Sequence, residues 1–165
     1  MFRLSRYLRA ITHPSQTAPD RPRYQPKGPV VIWNLIRRCN LTCKHCYATS
    51  ADRDFEGELS TREIFEVMDD LKTYGVPVLI LSGGEPMMHP DIFTIAERGK
   101  REGFYVGLST NGTLIDEVNI RRIAALDLDY VGISLDGMRD VHDRFRRRTG
   151  AFDEALRGVR LCREA

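Results

Sequence analysis

The chain has 165 residues, of which 42% are hydrophobic and 29% charged, and its formal net charge is +2. These values are typical of one globular domain, and the small charge gives no strong attraction to nucleic acid or acidic lipid. The longest apolar runs fall far short of the ~20 residues that cross a bilayer, so no membrane span is expected. The four cysteines do not form the distributed framework of a disulfide-rich secreted protein. A reducing, cytoplasmic setting is therefore expected.

The first 28 residues differ from the rest of the chain. Arg3, Arg6 and Arg9 are interspersed with apolar residues, which predicts a short basic amphipathic helix. We interpret it as a helix that packs against the domain, with a membrane-surface or targeting role as the alternative. Repeated prolines between Pro14 and Pro29 then predict an extended arm. The chain is accordingly divided into an arm, residues 1–28, and a core, residues 29–165.

From residue 30 onward, short β-branched apolar runs alternate with longer segments of helical spacing, which predicts an α/β fold with a parallel sheet. Strands are predicted over residues 30–36, 76–82, 104–110 and 130–135. Helices are predicted from an N-cap at Ser60 to Gly75, and over residues 90–103, 114–126 and 152–162. Ligands of such folds bind at the carboxyl ends of the strands, so the segments after each strand are the candidate functional segments.

Three cysteines follow the first predicted strand with the spacing CxxxCxxC, at Cys39, Cys43 and Cys46. The spacing would also suit one face of a buried helix. However, only two arginines separate Cys39 from the strand, which favours a loop. Structural zinc usually takes four ligands in paired sets, whereas a cubane cluster on three thiolates leaves one iron open. We predict a cluster with a chemical role, and a zinc-binding interaction module that adds His45 is the alternative.

A second motif, Gly83-Gly84-Glu85-Pro86, follows the second predicted strand. In this order the two motifs resemble those of the radical S-adenosylmethionine (SAM) enzymes. The resemblance implies a [4Fe–4S] cluster on the three cysteines, with the amino and carboxylate groups of SAM on the open iron. It implies reductive cleavage of SAM to a 5'-deoxyadenosyl radical that abstracts hydrogen from a substrate. Catalysis would then rest on the two cofactors, and no separate catalytic side chain is predicted.

The resemblance also implies a partial (β/α)6 TIM-type barrel, of which about four strand–helix units are present in this sequence. The last residues are helical in pattern and carry no termination signal. We therefore expect the chain to be the N-terminal part of a barrel enzyme. Cluster binding is expected of such a part, and turnover by it alone is not.

Individual residues acquire roles from the resemblance. His45 and Tyr47 would lie along the adenine of SAM. Gly83, Gly84 and Glu85 would receive its amino group, because glycine permits close backbone approach and a carboxylate accepts from an ammonium. The alternative for these three residues is a tight turn with a capping glutamate.

The third and fourth strand ends supply further candidate cofactor-binding residues. Asn111 belongs to an Asn-Gly pair, which is also an ordinary turn signal. Ser134, with Asp136 beside it, resembles the family residue that binds the ribose hydroxyls. Arg146 would pair with the SAM carboxylate, and the alternative is a solvated basic run over residues 144–148.

A closer resemblance extends over essentially the whole chain. The basic N-terminal helix and residues 30–47, 54–60 and 79–90 together resemble the radical SAM enzymes of haem d1 biosynthesis and their relatives in alternative haem synthesis. The implied substrate is a modified tetrapyrrole derived from sirohaem, and the implied reaction is removal of propionate side chains. A ferredoxin or flavodoxin would supply the electron. A radical SAM maturase of peptides or cofactors is the alternative within the superfamily.

Overall fold

The computed structural model describes residues 28–165. The predicted basic helix, and the arm as far as residue 27, lie outside the described residues. The strands are β1 (Val30–Asn34), β2 (Val78–Ser82), β3 (Tyr105–Thr110) and β4 (Tyr130–Ile133). The helices are α1 (Thr61–Tyr74), α2 (Ile92–Arg101), α3 (Asn119–Ala125), α4 (Arg139–Arg146) and α5 (Ala151–Glu164). None of the described helices combines the length and hydropathy needed to cross a bilayer.

The four strands form one parallel sheet in the order β1-β2-β3-β4. One level of the register runs through Ile32, Ile80, Gly107 and Tyr130. Helical segments connect each strand to the next, as the alternating pattern predicted, because parallel neighbours require a crossover connection. The predicted partial barrel of four strand–helix units is thus confirmed. Because the strands are parallel, the carboxyl ends of all four lie at one edge of the sheet.

The outer face of the sheet carries the main hydrophobic core. Leu79 and Leu81 of β2 and Val106 of β3 are buried there. They pack in one cluster with Ile64 of α1 and Ile95 of α2, both fully buried. Burial of each such side chain contributes about 1.5–3 kcal/mol, so this cluster fixes the helices against the sheet.

The inner face has small residues at its centre. A Cβ atom on Gly107 would lie 2.6 Å from Ile80 Cδ1 and 3.2 Å from Tyr130 Cδ1. A Cβ atom on Gly132 would lie 2.5 Å from the Tyr130 hydroxyl. The two glycines therefore leave the space that the Tyr130 ring and the end of the Ile80 side chain occupy.

Helix α1 begins and ends where the sequence predicts. The Ser60 hydroxyl accepts from the backbone N–H of Glu63, whose carboxylate accepts from the backbone N–H of Ser60, so the capping box is complete. Gly75 ends the helix in a left-handed conformation at φ 86°. The long segment between the cysteines and α1 is held near the cysteines by a parallel bridge between Ala51 and Arg38. Nearer α1, Glu58 Oε1 accepts from the Arg37 backbone N–H.

One predicted helix starts later than expected, and one observed helix was not predicted. The helix predicted over residues 114–126 begins only at Asn119, because Asp116 Oδ1 accepts from the backbone N–H groups of Val118 and Asn119 and holds a turn there. Helix α4 was not predicted as a helix. Its only apolar side chains are Val141 and Phe145, so the sequence shows no extended apolar face.

Candidate functional site

A cavity of about 270 Å³ lies at the carboxyl ends of the four strands. Its wall combines the cysteine segment with the residues that follow β2, β3 and β4. The lining residues are Cys39, Leu41, Cys43, His45, Cys46, Tyr47, Ala48, Ser82, Gly83, Gly84, Ser109, Thr110, Asn111, Ser134, Asp136 and Arg146. The fold therefore brings together all three predicted metal ligands and every predicted cofactor-binding residue except Glu85.

The three thiols of the cavity differ in environment. Cys39 is buried, and its sulfur accepts from the Leu41 backbone N–H at 3.4 Å and lies 3.9 Å from Asn111 Nδ2. Burial raises the pKa of the Cys39 thiol to about 11. At Cys46, partial burial raises the pKa, but hydrogen bonds from Ser50 and from the backbone N–H groups of residues 48 and 49 outweigh it and lower the pKa overall. Cys46 is thus the readier thiolate of the two.

The donor set suits a multinuclear cluster. All three cysteines are free thiols and line one cavity. Within residues 28–165, no three cysteine, histidine, aspartate or glutamate side chains are arranged to share one metal ion. Each thiolate of a cubane binds a different iron, whereas structural zinc takes four ligands on one ion. Three thiols at one cavity wall are the donor set that such a cluster takes.

Glu85 is fully buried and lies behind the cavity wall. Its Oε1 accepts from the Thr110 hydroxyl at 2.7 Å and from the Met87 backbone N–H at 3.0 Å, and its Oε2 accepts from the Asn111 backbone N–H at 2.8 Å. The carboxylate thus joins the end of β2 to the end of β3. The sequence-based expectation was that Glu85 faces the amino group of SAM, whereas in the structure its carboxylate points into the protein interior.

Gly83 and Gly84 are required by the packing of two loops. A Cβ atom on Gly83 would lie 2.4 Å from the Ile36 carbonyl oxygen, and one on Gly84 would lie 2.4 Å from that of Arg37. Both contacts are far closer than side chains allow, so the turn after β2 can lie against the segment that leads to Cys39 only if both residues are glycine. The Gly84 N–H donates to the Ile36 carbonyl at 2.6 Å. The sequence had explained these glycines by approach of the cofactor.

A buried amide network holds the first cysteine against β3. Asn111 Nδ2 donates to Asn40 Oδ1 at 2.9 Å, and Asn40 Nδ2 donates to Thr113 Oγ1 at 2.9 Å. The Thr113 hydroxyl and backbone N–H both donate to Asn111 Oδ1. Asn40 and Thr113 were missed in the sequence, where the only signal was their position beside Cys39 and Asn111.

Helix α4 contributes a charged side chain to the cavity wall beside the end of β4. Arg146 of α4 is only 8% exposed, so the solvated-run interpretation is wrong for this arginine. Its Nε lies 2.6 Å from Asp136 Oδ2, and its Nη2 donates to the Ser134 carbonyl at 3.4 Å. Arg146 Nη1 lies 3.7 Å from Cys43 Sγ. Helix α4 thereby connects the second cysteine to the fourth strand.

His45 and Tyr47 lie at the outer rim of the cavity. The Tyr47 side chain is 77% exposed, and its hydroxyl donates to Asn34 Oδ1 at 3.1 Å. The ring centroid of His45 lies 5.5 Å from that of Phe145, and His45 Nε2 lies 3.5 Å from Asp136 Oδ1. Both aromatic side chains are accessible to a ligand that enters the cavity.

Burial of Glu85 gives a testable pH dependence. Desolvation raises its pKa despite the hydrogen bonds that oppose it, so the folded state holds this proton more tightly than the unfolded state. Its stabilising contribution is complete below the unfolded pKa of about 4.5 and is lost as the pH rises through the folded pKa. In urea unfolding of metal-free protein, we expect wild type to lose stability relative to Glu85→Gln as the pH rises above about 4.5.

The exposed Glu117 provides the control for that series. Glu117→Gln should unfold with the pH profile of wild type. A wild type that gains stability over Glu85→Gln with rising pH would mean that the hydrogen bonds, and not burial, control the Glu85 carboxylate.

The unequal cysteine environments predict unequal reactivity. In metal-free, reduced protein near neutral pH, iodoacetamide should modify Cys46 at least about tenfold faster than Cys39, because alkylation needs an accessible thiolate. Peptide mass spectrometry over a time course measures both rates. In urea the two rates should become similar, and equal rates in the folded protein would contradict the described burial of Cys39.

Comparison with known proteins identifies the family of the chain. The model of the family described as Radical SAM superfamily matches residues 33–165. A protein named pre-heme d1 synthase, from Dinoroseobacter shibae, is 50% identical over 163 residues, which cover 99% of this chain and 40% of the relative. The Fe-coproporphyrin III synthase of Methanosarcina barkeri is 50% identical over 138 residues, which cover 84% of this chain and 35% of the relative. The chain thus spans 40% or less of the length of these two relatives.

The fold is also similar to solved structures. Streptococcus suis SuiB bound to S-adenosylmethionine superposes with a TM-score of 0.67 at 18% identity, over 81% of this chain and 31% of that chain. At this identity the likeness concerns the fold alone, and it supports the partial barrel. Because the family model covers most of the described residues and the cysteine motif stands at the end of the first strand, this chain belongs to the radical SAM superfamily.

Proposed function

We propose that the chain is the cofactor-binding part of a radical SAM enzyme, with a [4Fe–4S] cluster on Cys39, Cys43 and Cys46 and SAM in the adjoining cavity. The observation that carries the proposal is that the three thiols and the polar groups of the strand ends line one cavity. When bound, such a cluster supplies the electron that breaks the sulfur–C5' bond of SAM and releases a 5'-deoxyadenosyl radical. Three thiolates leave one iron free for the amino and carboxylate groups of SAM.

The side chains around the cavity divide into two groups by role. Ser134, Asp136 and the rim residues His45 and Tyr47 are open to the cavity and are proposed to contact SAM. Glu85 has both oxygens engaged inside the protein, so we assign it a positioning role. It holds the strand ends at the spacing that the cofactor needs, and the backbone of the turn at Gly83 and Gly84 faces the cavity in its place.

The cluster ligands can be separated from the remaining cysteine by substitution. We expect Cys43→Ser, reconstituted anaerobically in the full-length protein that carries this sequence, to lose most of the roughly four iron atoms per chain and all formation of 5'-deoxyadenosine. Cys162, which packs against the α3 side of the core away from the cavity, provides the matched control. Cys162→Ser should keep both iron and activity.

Stoichiometric zinc without iron in the wild type would overturn the proposal in favour of the zinc module. Retention of the iron by Cys43→Ser together with its loss from Cys162→Ser would overturn the assignment of the ligands.

For the substrate, we propose an iron tetrapyrrole with propionate side chains. Support comes from the two relatives at 50% identity, whose names both refer to haem-type tetrapyrroles. The proposed reaction removes propionate side chains after hydrogen abstraction, in the cytoplasm, with a ferredoxin or flavodoxin as electron donor. The alternative is maturation of a peptide or another cofactor, which the same cavity could serve.

Substrate trials distinguish these two reactions. With SAM and a chemical reductant, the full-length protein should form more 5'-deoxyadenosine in the presence of a sirohaem-derived tetrapyrrole, and mass spectrometry should show the tetrapyrrole losing propionate mass. A protein that cleaves SAM but leaves every tetrapyrrole unchanged would favour the maturase alternative. A propionate-free porphyrin provides the control and should not increase cleavage.

A further inference from the structure

Arg146 is the charged side chain that lies against a proposed cluster ligand. Its Nη1 lies 3.7 Å from Cys43 Sγ, within the range for an N–H···S hydrogen bond. Arg146 is only 8% exposed, so little water screens its charge from the sulfur. The same α4 residue also donates to the Ser134 carbonyl at the end of β4, which fixes its orientation.

Asp136 lies on the other side of the same guanidinium. Its Oδ2 is 2.6 Å from Arg146 Nε, although the two atoms are not aligned as a hydrogen bond, and its Oδ1 accepts from Arg146 Nη2 at 3.2 Å. The backbone N–H of Asp136 donates to Nδ1 of the buried His142 at 3.2 Å. The carboxylate is therefore held in place, with the positive end of the pair directed at Cys43.

We propose that the Arg146–Asp136 pair sets the reduction potential of the cluster through Cys43. This inference rests on the proposed function, since it requires a cluster on the three cysteines. Reduction adds one negative charge to the cluster, and a nearby cation that donates to a ligand sulfur stabilises that charge. Arg146 thus raises the potential and favours electron uptake.

Asp136 has the opposite effect on the same equilibrium. Its carboxylate offsets part of the guanidinium charge and leaves a moderate net effect at Cys43. Arg146 alone would give a higher reduction potential and Asp136 alone a lower one, and the pair gives a potential between these two values. Neither residue is a ligand of the cluster. Asp136 acts on the cluster through Arg146, and Arg146 acts on it through Cys43.

Redox titration of the reconstituted, SAM-free protein tests the proposal without any enzymatic turnover. Arg146→Gln should make reduction less favourable by about tenfold, which is a shift of 59 mV to more negative potential for one electron. Asp136→Asn should shift the midpoint to more positive potential, because the arginine charge is then unopposed. Arg146→Lys should recover most of the loss, since it restores a positive donor at the same position.

The exposed Arg144 on the same helix provides a control of equal charge change. Arg144→Gln should leave the midpoint within a few millivolts of wild type, because solvent screens its charge. The spectroscopic signal of the reduced cluster, followed by electron paramagnetic resonance, reports the reduced fraction in every variant.

The outcomes separate the inference from the function on which it rests. A wild type that binds no cluster overturns the proposed function itself. A wild-type cluster with equal shifts in Arg146→Gln and Arg144→Gln overturns the inference, as does an unchanged or more negative midpoint in Asp136→Asn. Should Arg146→Gln hold no cluster, the midpoint of Asp136→Asn decides the matter: a shift to more positive potential supports the pair, and an unchanged or more negative midpoint rejects it.

Discussion

One buried carboxylate holds the cavity wall together. Glu85 stands at the end of β2 and accepts hydrogen bonds from Thr110 and Asn111 at the end of β3. Asn111 in turn reaches Asn40 and the sulfur of Cys39. The position of the first cysteine therefore depends on an interaction two strands away. A carboxylate buried to this extent is costly unless its lone pairs are satisfied, and the convergence of strand ends supplies the donors.

The chain order of elements could be predicted because each depends on local sequence. Strands appear as β-branched runs, and α1 is delimited by Ser60 and Gly75, whose side-chain chemistry acts within a few residues. The parallel arrangement follows from the alternation itself. That topology places every post-strand segment at one edge, so the cysteines and the segments after the later strands could be assigned to one site from sequence alone.

The hydrogen bonds and close contacts within the site could not be predicted in the same way. Glu85 and Arg146 find partners across 25 and 10 residues or more, and no periodicity encodes such pairs. Helix α4 lacks an apolar face because its buried side chains, His142 and Arg146, are polar. Likewise, the reason for Gly84 lies in the backbone of another loop. Each of these features depends on the register between distant segments, which only the folded chain reveals.

The Tyr130 ring on the inner face couples positions that are far apart in sequence. Gly132 has no side chain because the ring fills the space that a Cβ atom would need, and at Gly107 that space is shared by the ring and the Ile80 side chain. Alanine at Gly132 therefore calls for a smaller residue at position 130, and alanine at Gly107 calls for a shift of Ile80 as well, so the effects of the separate changes are non-additive. Any attempt to reshape the inner face of this sheet must treat positions 80, 107, 130 and 132 as one unit.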